Sequence, residues 1–155
     1  MVLVFLLNLA LLGYHSREAF ANLFGLEDRD TFLLKRERSY GMAKFVNENL
    51  PPDVKILNSE EVRMFYFNRD LVRESLYRRR TKYGESRDLN ETLKRLKKDG
   101  FTHLLIVDRD KDESKEGIRK WIDPHSQEKN LKEIHRTHFQ ERDGHRLEYV
   151  LYSLT

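Results

Sequence analysis

Residues 88–107 read Asp-Leu-Asn-Glu-Thr-Leu-Lys-Arg-Leu-Lys-Lys-Asp-Gly-Phe-Thr-His-Leu-Leu-Ile-Val, and this stretch decides the fold. Leu89, Leu93 and Leu96 recur at helical spacing. Asp88 and Glu91 stand three apart, as in a capping box. Gly100 follows the last periodic residue, at the position where a left-handed residue closes a helix. His103–Val107 is then a short apolar run of strand length. Upstream, Val54–Leu57 is another such run, and Phe65-Tyr66-Phe67 reads as a second extended piece. Asn68-Arg69-Asp70 reads as a turn, after which Leu71-Val72 resumes the strand. Strand, helix and strand in this order predict a βαβ crossover in a sheet with parallel strands.

Working outward, Met42, Phe45, Val46 and Leu50 fall on one helical face. They predict a helix from about Thr31 to Asn49, broken near Ser39 and stopped by Pro51-Pro52. A weak helix is expected around Ile118–Ile122, ended by Asp123-Pro124. At the C-terminus, Ile134–Gln140 and Leu147–Leu154 flank Arg142-Asp143-Gly144, a hairpin signal. The expected fold is a small three-layer-like α/β domain with a mixed sheet, a βαβ unit and a C-terminal β-hairpin.

Residues 2–12 are apolar almost all round, with only Asn8 polar. A surface helix would carry a polar stripe, and a spanning helix needs about 20 apolar residues. Three readings fit the run: the end of a transmembrane helix, the h-region of a signal peptide cleaved near Ala19-Phe20-Ala21, or a buried core helix. A signal peptide would carry a positive n-region, and Arg17 and Glu18 crowd its cleavage site. Tyr14 and His15 follow the run as an interfacial edge would. The expected organisation is therefore a partial transmembrane helix over 1–14, a connector over 15–38 and a soluble α/β domain over 39–155.

The chain has 155 residues, 39% hydrophobic and 35% charged, with no cysteine. One domain with a real core is expected, and disulfides and thiolate metal sites are excluded. Net charge is only +3, so the basic balance does not by itself imply nucleic acid, and none is expected as a partner. The charge is local: residues 69–98 hold eleven Arg or Lys against five acids. Arg78, Arg79, Arg80 and Lys82 form the densest run, flanked by Tyr77 and Tyr83. Such a patch suits phosphate or anionic headgroups, but an ordinary exposed loop balanced by internal ion pairs is the preferred reading of it.

Chemistry is sparse. Asp108-Arg109-Asp110 follows an apolar strand, where α/β sheets place ligands. Two Asp at that spacing can share a divalent cation with nucleotide phosphates. An exposed acidic loop balanced by Lys111 and Lys115 is the ordinary alternative. Glu61, Arg63 and Tyr66 follow the first strand and suit a polar ligand at the sheet edge, or pin a turn. No glycine-rich phosphate loop follows that strand, which continues as Asn58-Ser59-Glu60. His135 and His138 lie three apart, which on a strand places them on opposite faces. No metal, cofactor or catalytic residue is expected.

The order of residues resembles a family. Phe24–Asp30, Ser39-Tyr40 and Val46–Asp53 carry the likeness, followed by Lys55-Ile56-Leu57, Glu61, Arg63, Phe65-Tyr66 and Arg69. Leu96–Val107 and the terminal hairpin continue it. The chain is similar to the C-terminal extracytoplasmic domain of multi-pass membrane glycosyltransferases. These belong to the dolichyl-phosphate-mannose–protein mannosyltransferase and aminoarabinose transferase-like superfamily. The resemblance implies a membrane location, a polyprenyl-phosphate sugar or its acceptor as partner, and catalytic loops between membrane helices that are not in this sequence. Glu60 departs from the pattern, since relatives often carry Gly there. Two other expectations stand beside it: a membrane-tethered ligand-binding module, and a small metal-dependent nucleotide-sugar enzyme using Asp108 and Asp110.

Overall fold

The computed structural model describes residues 4–8, 10, 11, 13, 24, 25, 27–59, 63–74, 83, 88–109, 118, 122 and 131–154. The chain divides into two compact units, Met1–Glu37 and Arg38–Thr155.

In the first unit, residues 4–8, 10, 11 and 13 are helical. Among the described residues no helix is long and apolar enough to cross a membrane. Helix α1, Arg29–Arg36, follows. Its Asp28 cap accepts from the backbone N–H of Asp30 and Thr31 at 3.0 and 2.9 Å. Asp30 in the first turn and Lys35 and Arg36 in the last turn complement the helix dipole.

In the second unit, helix α2 spans Tyr40–Asn49. The helix expected over 31–49 is thus two helices, because Glu37 turns extended after α1. Leu50 is extended as well, as the residue before a proline must be. The sheet has five strands in the order β2-β1-β3-β5-β4. They are β1 Lys55–Asn58, β2 Asp70–Arg73, β3 His103–Arg109, β4 Leu131–Gln140 and β5 Arg146–Leu154. β1 runs parallel to both β2 and β3, and β5 is antiparallel to β3 and β4. Helix α3, Leu89–Lys98, connects β2 to β3, so the parallel crossover passes over β1.

β1 and β3 are apolar on both faces because both faces are covered. On one face Met42, Val46, Ile56, Leu105, Tyr149 and Leu151 pack together beneath α2. On the other, Leu57, Leu93, Leu96, Leu104, Ile106 and Val150 pack beneath α3. Each such side chain, fully buried, stabilises by roughly 1.5–3 kcal/mol before entropy is counted. The result is a mixed α/β fold with a helix on each face of the sheet.

The ends of α3 follow their local chemistry. Asp88 accepts from the Glu91 N–H at 2.8 Å. At the other end Phe101 N–H bonds to the Leu96 carbonyl and Gly100 N–H to that of Lys97, both at 3.0 Å. This is a Schellman closure, with Gly100 at φ +80° and Phe101 and Leu96 in one core cluster. The hairpin also forms as expected, its turn closed by Gly144 at φ +87°.

One expected strand is not a strand. Met64–Tyr66 is a 3-10 turn, and β2 begins only at Asp70. The cause lies in α2. The Asn47 side-chain amide donates to the Tyr66 carbonyl at 2.8 Å and accepts from Asn68 N–H at 2.8 Å. Arg69 then donates to the carbonyls of Asn47 and Leu50, at 2.9 and 2.6 Å through Nη2. These bonds satisfy backbone groups at the C-terminal end of α2 and leave the aromatic run flanking that helix instead of pairing in the sheet. The expected helix at 118–122 falls outside the described residues, except that Ile118 and Ile122 are buried in the core beneath α3.

Replacing Asn47 by Ala removes the partners of two backbone groups. Urea denaturation should show a loss of about 1–3 kcal/mol, with Asn47→Asp intermediate because it keeps the acceptor for Asn68.

Candidate functional site

In parallel sheets ligands sit outside the carboxyl ends of the strands. Here those ends bring together Asn58 and Ser59 at β1, Arg73 and Glu74 at β2, and Asp108 and Arg109 at β3. Asn58, Ser59 and Glu74 are buried. Their polar groups tie the strand ends to one another. Glu74 N–H donates to the Asn58 carbonyl at 2.8 Å, and Ser59 N–H to that of Leu105 at 2.9 Å. Ser59 Oγ accepts from Val107 N–H at 3.1 Å. The Glu74 carboxylate accepts from Ile118 N–H at 3.0 Å and so holds Ile118, which is buried, against the core.

Asp108 is half-buried and follows Val107 in alternation, so it faces the α3 side of the sheet. It stands opposite Glu148 on β5, which in turn stands opposite His138 on β4. Glu148 accepts from Arg136 Nη1 at 2.9 Å and lies 3.3 Å from His138 Nδ1. Arg136 also grips Glu133 with two bonds, at 3.0 and 2.6 Å. A β-bulge between Glu133 and His135 makes that three-residue pairing possible on a strand. The Arg136 bonds hold Glu133 below the usual carboxylate range, and the Glu133 bond above all raises the Arg136 guanidinium.

Arg63 precedes, and Tyr66 ends, the 3-10 turn beside α2. The Arg63 carbonyl accepts from Ser39 Oγ at 3.1 Å, and the Tyr66 ring meets Tyr40 edge-on, with centroids 5.2 Å apart. Tyr66 packs on the α2 face and Asp108 looks to the α3 face, so the two do not form one site. Glu61, Asp110, Arg78, Arg79, Arg80 and Lys82 lie outside the described residues. Among the described residues no group of three or more His, Asp or Glu could hold a metal ion. The two hairpin histidines do part company: His135 stacks on Phe45 of α2 at 3.7 Å and 7°, and His138 meets Glu148.

Sequence reasoning passed over Glu74, although a carboxylate ending an apolar strand was the same signal that drew attention to Asp108. It also passed over the Glu133–Arg136–Glu148 network, which depends on the bulge. Tyr83 carries a further perturbation: burial, then its 2.6 Å bond to Asp99 and the charges of Asp99 and Glu74, push its phenol above the ordinary range.

Burial lowers both His135 and His103. A folded pKa below the unfolded one means stability that is complete above about pH 6.5 and is lost as pH falls through the folded value. Glu133 adds a second loss at lower pH, since its folded value also lies below its usual 4.5. A plot of melting temperature against pH should therefore fall in two steps. His135→Phe should shrink the first and reduce the second only slightly, since the His135 charge is the smallest of the causes that lower Glu133; a first step of unchanged size would exclude His135 as its source.

No model of a known protein family matches the chain, and neither the curated proteins nor the solved structures compared with it include a match.

Proposed function

We propose that this chain is an accessory α/β domain of a membrane-embedded glycosyltransferase that uses a polyprenyl-phosphate sugar, non-catalytic on its own and held outside the cytoplasm. The observation that carries the reading is the N-terminal apolar run. Val4, Phe5, Leu6, Leu7 and Leu11 are helical and between 49% and 66% exposed. Side chains of this size each gain roughly 1.5–3 kcal/mol on leaving water, so a contiguous exposed set fits an apolar medium that covers it. The end of a membrane helix supplies that medium. The family resemblance supports the same reading through the order of its stretches.

The domain's polar groups agree with a supporting role. At the strand ends Asn58, Ser59 and Glu74 join backbone to backbone, and Arg136 is engaged by two carboxylates. A nucleotide-sugar enzyme built on Asp108 and Asp110 has no observation in the described residues that favours it.

Flotation on neutral phosphatidylcholine vesicles tests the anchor. The full chain should float, and Phe5→Asp with Leu6→Asp should leave it in the dense fraction. A wild-type chain that stays dense rejects the reading. Incubation with a polyprenyl-phosphate sugar and acceptor should give no transfer; turnover by the chain alone would reject its accessory role.

A further inference from the structure

Helix α3 has two unlike faces. Leu93 and Leu96 are buried in the core, and Lys94, Arg95, Lys97 and Lys98 are all exposed. Within the helix only Glu91 opposes these four cations, and it is paired with Arg95 at 3.0 Å. Asp99, the next residue, bonds through its carboxylate to Tyr83 and through its carbonyl to Lys55. Among the described residues Lys94 and Lys98 have no acidic partner.

The spacing makes this arrangement unfavourable within the fold. Lys94 and Lys98 are four apart, and Lys94–Lys97 and Arg95–Lys98 are three apart, so each pair brings like charges together on the helix surface. Cations in the last turn are favoured by the helix dipole. That accounts for Arg95, Lys97 and Lys98, which lie in the last turn, but the effect fades beyond it and leaves Lys94 unexplained. A dense anionic surface outside the protein would relieve the repulsion around Lys94 and Lys98.

We propose that the outer face of α3, centred on Lys94 and Lys98, is an electrostatic docking face for an anionic phospholipid bilayer. The inference rests on the membrane-anchored reading above, which supplies the partner: a domain tethered beside a bilayer meets its headgroups at high local concentration. The α3 face then sets which side of the domain lies against the lipid. The contact is one of charge and not of insertion, since the exposed side chains are lysines and arginine.

The test compares partition of the full chain onto phosphatidylcholine vesicles with and without phosphatidylglycerol. Binding to the neutral vesicles reports the apolar run alone, so its loss counts against the anchor. The ratio of anionic to neutral binding reports the α3 face. Each lysine at an anionic surface contributes about fivefold, so Lys94→Gln with Lys98→Gln should lower the ratio about 25-fold. The ratio should also collapse toward one at about 0.5 M salt. Lys132→Gln with Arg142→Gln makes the same change in net charge at exposed positions elsewhere and should leave the ratio largely intact. An unchanged ratio in the α3 variant overturns the proposal, as does an equal fall in the control pair. Tight binding to RNA or an acidic polypeptide, with no preference for anionic vesicles, overturns it too and gives the face to a macromolecule.

Discussion

The fold depends on one constraint: β1 and β3 must be covered on both faces. Successive side chains of β3 point to opposite sides, with Leu104 and Ile106 beneath α3 and Leu105 and Val107 beneath α2. Neither set can reach water without the loss of a helix. A single helix would leave half of the strand's apolar surface exposed, so α2 and α3 are needed together. This is why α2 is fastened so firmly to the sheet-side chain, through Asn47, Arg69 and Ser39, although it lies far from most of the sheet in sequence.

That constraint explains which parts of the structure could be read in advance. Helix α3 and the start of β3 were legible because their signals are local. Asp88 caps its own helix, Gly100 closes it, and the leucines repeat within ten residues. The hairpin was legible for the same reason, since Gly144 sits within the loop it shapes. The aromatic run at 65–67 misled because its intrinsic preference is for strands. Its real conformation is set by an amide on α2, about 20 residues back in the chain, and tertiary bonding of that kind overrides propensity.

The polar groups divide in a similar way. The position of Asp108 at a strand end follows from the apolar run before it. Its neighbours Glu148 and His138 follow only from the register of three strands, which no single stretch encodes. Arg63 and Tyr66 were grouped with the strand end because they follow it in sequence. In the fold the chain turns back along α2 and carries them to the opposite face from Asp108. The bulge in β4 is the least legible feature, since it moves one residue out of alternation and lets Glu133 meet Arg136.

That bulge lies on β4, ten residues long, which among the described strands is outermost and pairs only with β5. An uninterrupted edge of this length would offer a template on which another extended chain could assemble, the first step toward fibrils. The dislocation at Glu133 to His135, with charged side chains on either side of it, spoils the regular spacing such growth requires. The same defect that gathers the Arg136 ion pairs thus makes this edge a poorer template for such growth.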